Sequence, residues 1–119
     1  MKFLCQIMID ETVFDGMSEE DHQALQAAAL ASDTALRDCG VLIRAQALQP
    51  PERARTVSVR QGRTIVTDGP YAEAKEHLGG IMIIEAADMA EAIRVVEECP
   101  MAGVSRVEIR PVMNFGLWA

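Results

Sequence analysis

The spacing of hydrophobic residues changes along the chain, and each spacing predicts one kind of element. Residues 3–9 form a short, continuous apolar run, which is typical of a buried strand. From residue 18 onwards the apolar positions recur at steps of three and four, as on one face of an amphipathic helix. Ser18, followed by three acids, predicts the start of this helix, and Gly40 predicts its end. The positions expected to face the core are Leu25, Ala28, Ala29, Ser32 and Leu36.

The middle of the chain is typical of strands. Residues 41–48 predict a second strand, and the two prolines that follow end it. Residues 56–60 and 63–67 alternate in character and flank Gln61-Gly62, so they predict a hairpin whose glycine adopts a positive φ. Residues 71–78 have room only for a short helix before the next glycine pair.

The last third predicts a strand, a helix and a final strand. Residues 81–85 are strongly apolar, and residues 104–110 alternate like a strand with one solvated face. Between them, Asp88 predicts a helix start, because Glu91 lies three residues on, as in a capping box. Pro100 follows the end of this helix. Its expected inner face comprises Met89, Ala92, Ile93 and Val96.

Without the hairpin and the short helix, the order of elements is β-α-β-β-α-β. This order predicts a ferredoxin-like α+β fold in one domain over residues 1–119. Two helices cover one face of such a sheet, and the other, partly apolar face needs a partner. We therefore expect a homodimer in which two sheets pack face to face. The apolar tail, residues 111–119, is expected to cross to the partner; the alternative is that it packs on its own subunit or stays loose.

Composition narrows the classes of function. The chain has 119 residues and a formal charge of -7, which disfavours nucleic acid and anionic membrane surfaces as partners. The longest apolar runs fall well short of a transmembrane helix, and acids interrupt any signal-peptide core. The three cysteines are far apart, without a CxxC pair or a zinc-like cluster. We expect a cytoplasmic protein with free thiols and no bound metal.

The densest polar cluster, residues 67–80, offers candidate chemistry. Asp68 ends a strand and is a candidate acid–base or ligand-binding carboxylate; the alternative is that it caps the short helix that follows. His22, early in the long helix, is a candidate partner for Asp68 or an ordinary boundary residue. No phosphate loop, dinucleotide fingerprint or GxSxG motif is present, so no cofactor is predicted. The candidate ligand-binding residues are Gly69, Pro70, Tyr71, Glu73, Lys75, Glu76 and His77.

The same cluster carries a family resemblance. Residues 68–76, followed by Leu78-Gly79-Gly80 and the strand 81–85, resemble the signature of YCII-related proteins of the DGPF type. The opening residues 1–4 and the closing strand 107–113 are also similar to that family. One departure is Tyr71, where the family name records Phe.

The resemblance implies a dimeric α+β barrel of ferredoxin-like topology, in agreement with the order of elements. The wider YCII-like group has been proposed to contain enzymes with a His on the first helix and an Asp before a Pro near the last helix. His22 matches the first position, but Cys99 precedes Pro100 where the Asp is expected, which weakens a His–Asp mechanism. Asp68 is the carboxylate that could substitute in space. DGPF-type proteins are also associated with extracytoplasmic-function sigma factors, which implies a possible sigma factor partner.

Two functional hypotheses follow. In the first, the protein is a binding or regulatory module whose pocket, opened near Asp68, holds a small ligand or a partner peptide. In the second, it is a small enzyme in which Asp68 is the general acid or base, His22 or His77 assists, and an arginine orients an anionic substrate.

Overall fold

The computed structural model describes residues 1–70 and 75–114. These residues form six strands and two helices, joined in places by short 3₁₀ turns. In chain order the elements are β1 (Lys2–Asp10), α1 (Glu19–Asp38), β2 (Leu42–Ala47), β3 (Arg55–Arg60), β4 (Arg63–Asp68), β5 (Glu76–Glu85), α2 (Met89–Glu97) and β6 (Arg106–Pro111).

The main sheet has four strands in the order β2-β5-β1-β6, and every neighbouring pair is antiparallel. β1 lies in the interior of the sheet, paired with β5 on one side and β6 on the other, so Phe3 is opposite both Ile84 and Pro111. With the β3–β4 hairpin set apart, this is the arrangement of a split β-α-β fold. The predicted ferredoxin-like α+β fold is confirmed.

The core lies on the face of the sheet that the helices cover. Phe3, Cys5 and Ile84 are fully buried there, and α2 adds Ala92 and Val96. α1 contributes no fully buried residue, although its inner side chains are half-buried. Two predicted core positions are wrong: Ala28 and Ile93 are exposed, because each lies at the edge of a stripe whose other predicted members do face the sheet.

The ends of both helices follow the sequence signals. The Ser18 hydroxyl accepts a hydrogen bond from the Asp21 amide at 3.0 Å, and Gly40 after α1 has a φ of +83°. The Asp88 carboxylate accepts from the Glu91 amide at 2.8 Å. Glu91 Oε2 in turn accepts from the Ala87 amide at 2.7 Å, which makes the reciprocal pair of a capping box one residue further out than usual.

β3 and β4 form a separate two-stranded hairpin. Gln61 and Gly62 both have a positive φ, 53° and 75°, as in the type I′ turn that suits a two-residue hairpin. At its base, the Gly69 amide donates to the Ala54 carbonyl at 2.8 Å and the Thr56 hydroxyl donates to the Gly69 carbonyl at 2.9 Å. The hairpin was predicted from its sequence, but its separation from the main sheet was not.

The short helix expected over residues 71–78 is wrong where the structure describes it. β5 begins at Glu76, so residues 76–80 are strand and the glycine pair does not end an element. The reason is pairing: residues 8–10 of β1 continue alongside residues 76–78, with a bulge at Gly79. The Ile9 side chain lies over Gly79, where a Cβ would overlap it. Residues 71–74 lie outside the described residues.

The opposite face of the main sheet carries Leu4, Ile81 and Ile83 near its centre, all half-buried. Within the described residues no helix packs on this face, and the molecule is only 20 Å across in its thinnest direction, about two layers of structure. The last residues of the apolar tail, 115–119, lie outside the described residues, so the predicted crossing of the tail stays a prediction.

We expect Asp88→Ala to lower the free energy of unfolding by about 1 kcal/mol, because the capping hydrogen bond at the start of α2 is lost. Asp88→Asn is the matched control, since Asn caps about as well as Asp. Urea unfolding followed by circular dichroism measures both. Equal losses for the two variants would contradict a capping role.

Candidate functional site

A cavity of about 350 Å³ lies between α1 and the helix-covered face of the sheet. Its wall is mostly apolar, with a few polar side chains from α1 and the loops around it. The lining residues include Ile7, Phe14, His22, Leu25, Gln26, Ala29, Asp33, Ala45, Ala47, Gly80, Cys99 and Met101.

The cavity exists because small residues face one another across the layer between helix and sheet. Ala29 supplies the middle of the helical wall, and Ala45, Ala47 and Gly80 supply the floor. Ala47 and Gly80 are direct cross-strand partners, so the floor has no large side chain at this point. Since protein interiors are normally close-packed, this run of small residues leaves a space that the flanking larger side chains do not fill.

His22 is held at the mouth of this space by an aromatic contact. Its ring stacks on Phe14 with 5.5 Å between ring centroids and an interplanar angle of 29°. Phe14 belongs to a 3₁₀ turn that Asp10 caps, accepting from the Thr12 amide at 3.0 Å and the Thr12 hydroxyl at 2.7 Å. These hydrogen bonds lower the pKa of Asp10. The position of His22 therefore depends on the turn that follows β1.

Asp33 and Cys99 are the ionisable groups at another part of the wall. Burial raises the pKa of Asp33, and the nearby Arg37 opposes this shift only in part. Burial also raises the pKa of the Cys99 thiol, while a hydrogen bond with Ser32 opposes the shift. Cys5, in the core behind them, has its pKa raised to about 11 by burial. Neither buried thiol has the lowered pKa of a reactive cysteine.

The sequence analysis missed Asp33. The available signal was its place in the helical repeat, since it lies four residues after Ala29 and next to Ser32, which was expected to face inwards. An acid at an inward-facing position of an amphipathic helix is unusual and points to a functional cavity or an unfilled core.

Asp68 is not among the residues that line this cavity, so the predicted pocket lies between helix and sheet but does not open beside Asp68. Asp68 ends β4 with its side chain 91% exposed and forms an ion pair with Arg55 Nε at 3.2 Å. The structure brings it together with the base of the hairpin and not with His22. Its alternative role, capping the start of a short helix after residue 70, involves residues 71–74, which lie outside the described residues, and stays a prediction.

The other predicted ligand-binding residues that the structure describes lie at different places in the fold. Lys75 and Glu76 form surface ion pairs, with Asp10 at 3.5 Å and with Arg106 at 2.9 Å. Gly69 has a φ of +86° at the base of the hairpin. Tyr71 and Glu73 lie outside the described residues.

Pro70 and His77 line a second, shallower hollow of about 530 Å³ with Pro50, Pro51 and Arg53. The His77 side chain is only 13% exposed, and its Nε2 lies 3.1 Å from Glu11 Oε1. The predicted site residues therefore do not come together: His22 belongs to the first cavity, His77 and Pro70 to the second hollow, and Asp68 to neither.

Across residues 1–70 and 75–114, no three His, Cys, Asp or Glu side chains are grouped so that they could hold a metal ion. No helix in the same part of the chain is long and apolar enough to cross a membrane.

The fold and the cavity define a small ferredoxin-like α+β domain with a mostly apolar internal site. The chain belongs to the YCII-related domain family, whose sequence profile matches residues 1–116. An uncharacterized protein of Rhizobium meliloti (strain 1021), R00369, is 32% identical over 105 residues, which are 87% of this chain and 85% of that protein.

A solved structure shares the fold. It is 5-chloro-2-hydroxyhydroquinone dehydrochlorinase (TftG) from Burkholderia phenoliruptrix AC1100, in complex with 2,5-dihydroxybenzoquinone. The TM-score is 0.53 at 19% sequence identity, and the match covers 95% of this chain and 94% of that chain. At this identity the likeness establishes a common fold.

We expect Asp33→Asn to raise the free energy of unfolding at neutral pH. Because burial raises the Asp33 pKa, the folded state binds the proton more tightly than the unfolded chain, and ionised Asp33 opposes folding. This gain in stability should shrink as the pH falls, since Asp33 is then protonated in both the folded and the unfolded state. Urea unfolding at several pH values measures it, with Asp38→Asn at the exposed end of α1 as the control. A gain that does not depend on pH would contradict the raised pKa of Asp33 in the folded state.

Proposed function

We propose that this protein binds a small, largely apolar ring molecule in the cavity beneath α1, with His22 as a polar contact at its mouth. The observation that carries the proposal is the cavity itself: about 350 Å³ of space with a mostly apolar wall and a few polar groups. Pockets for small ligands have this size and this composition.

The energetics of packing support an occupied space. The cavity is partly open, so its apolar wall contacts solvent when no ligand is bound. A ligand that covers this wall contributes about 25 cal/mol per Å² of apolar area removed from water. Larger side chains at Ala29, Ala45 and Ala47 would bury the same wall within the fold, so the small residues are better explained by a ligand than by core packing.

The charge of the wall indicates the class of ligand. The lining residues of the cavity, within the described part of the chain, include Asp33 and His22 but no Lys or Arg. A strongly anionic ligand, which the sequence suggested, would therefore find no cation there. The solved structure of similar fold holds 2,5-dihydroxybenzoquinone, a small hydroxylated ring that is anionic at neutral pH. Hydroquinone, a hydroxylated ring that is uncharged at neutral pH, is therefore the probe for a first test.

The alternative function, an acid–base enzyme, has its support in His22. An ionisable ring in an apolar cavity can transfer a proton to or from a bound hydroxyl group. Catalysis by Asp68 stays a prediction, and the ion pair of Asp68 with Arg55 favours a structural role for that carboxylate. A sigma factor partner and a cytoplasmic location also stay predictions from the sequence.

We expect Ala29→Leu to weaken binding of hydroquinone by about tenfold or more while leaving the melting temperature equal or higher, because the added side chain occupies part of the cavity. Ala28→Leu is the matched control, since Ala28 is exposed on the next position of the same helix. His22→Phe tests the polar contact, because Phe keeps the ring beside Phe14 and removes both nitrogens. Titration calorimetry measures all four proteins.

Two results would count against this function. Unchanged binding by Ala29→Leu would place the ligand outside the cavity. No binding by the wild-type protein would exclude small, uncharged hydroxylated rings as its ligand class.

We also propose that the protein is a homodimer formed through the open face of the main sheet. Leu4, Ile81 and Ile83 form a half-buried apolar centre on that face, and a second copy would complete their burial. The family resemblance implies the same assembly.

We expect light scattering at micromolar concentration to give twice 13.0 kDa for the wild type. Ile83→Asp should give a monomer, because it places a charge at the centre of the interface. Leu30→Asp is the control, since Leu30 is 69% exposed on α1, away from the sheet. A wild-type monomer would contradict the assembly.

A further inference from the structure

We propose that the β3–β4 hairpin is an arm that packs on a second copy of this chain. This inference rests on the proposed homodimer and adds a second contact to it, distinct from the open face of the main sheet.

One face of the arm is apolar and exposed. Val57 pairs with Val66, and Val59 lies two residues from Val57, so the three side chains share a face. They are 61%, 56% and 57% exposed in the order Val57, Val66, Val59. Three adjacent valines on a two-stranded ribbon form a contiguous apolar surface of the kind that marks a protein contact.

Within residues 1–70 and 75–114, the arm receives little support from its own subunit. It is not part of the main sheet, and the hydrogen bonds described above join its two strands and its base to each other. A two-stranded hairpin is only marginally stable in water by itself. Burial of its valine face would supply the missing stabilisation.

Charge identifies the occupant of this face. Arg55, Arg60 and Arg63 lie on the arm with one acid, Asp68, so the arm carries a formal charge of +2. The whole chain carries -7, which leaves -9 on the rest. Two arms would repel each other, whereas an arm and the body of a second copy attract. The occupant that fits is therefore the acidic body of another protomer.

The dimensions of the single chain also favour packing of the arm on a second copy. Its radius of gyration is 16.4 Å, whereas a compact domain of this length has about 13–14 Å. The extents of 47 × 44 × 20 Å describe a flat, extended molecule. Pairing that places the arm on a second copy would restore a normal ratio of surface to volume.

The test compares two neighbouring substitutions on β4. Val66→Asp places a charge on the valine face, and Ile65→Asp makes the same kind of change on the opposite face, where Ile65 is 48% exposed. Sedimentation equilibrium should show a dimer dissociation constant about tenfold or more higher for Val66→Asp and close to wild type for Ile65→Asp. The double variant Arg60→Glu/Arg63→Glu should also weaken the dimer, because it removes the charge attraction.

Hydrogen exchange supplies a second measurement. The amides of β3 and β4 should be better protected at concentrations above the dissociation constant than below it. Protection that does not depend on concentration would mean that the arm packs on its own protomer, and would overturn the inference.

The outcomes separate this inference from the assembly on which it rests. A wild-type monomer overturns both. A wild-type dimer that Ile83→Asp dissociates and Val66→Asp leaves intact overturns the arm alone. A dimer weakened by Val66→Asp but not by Ile65→Asp supports the arm.

Discussion

The strict alternation of side chains along β1 is the constraint on which the rest of the structure depends. Because β1 lies between β5 and β6, its odd-numbered residues must face the helices and its even-numbered residues must face away. Phe3 and Cys5 thereby fix the core, and Ile7 continues the same row into the wall of the cavity. Leu4 takes the other side. A single strand thus sets the positions of the core, the cavity and the open face.

Local features of the fold could be predicted from the sequence, and features that depend on distant pairing could not. Ser18, Asp88 and Gly62 act within a few residues of their own position, so the helix starts and the hairpin turn were predicted correctly. The start of β5 depends on residues nearly seventy positions earlier, and glycines that usually end an element were therefore misread. The same holds for the site: the enzyme hypothesis expected His22 or His77 to assist Asp68, whereas the fold places the three residues apart.

The cavity and the two proposed contact surfaces share one physical origin. A chain of this length with few aromatic residues has little bulk with which to fill the space between its layers or to cover both sides of its sheet. The proposed ligand and the proposed second copy of the chain would each supply apolar surface that the protomer lacks. Ligand binding and pairing would then both add to stability, and each would favour the state in which the other occurs.

The bulge at Gly79 has a consequence for how relatives of this protein could diverge. Ile9 rests on this glycine and also borders the cavity, so any larger residue at position 79 would push the Ile9 side chain inwards. The pocket could become narrower through one change in a strand, with the helix and its histidine left in place. The size of the cavity is therefore adjustable from the sheet side, at a glycine that itself lies in the wall.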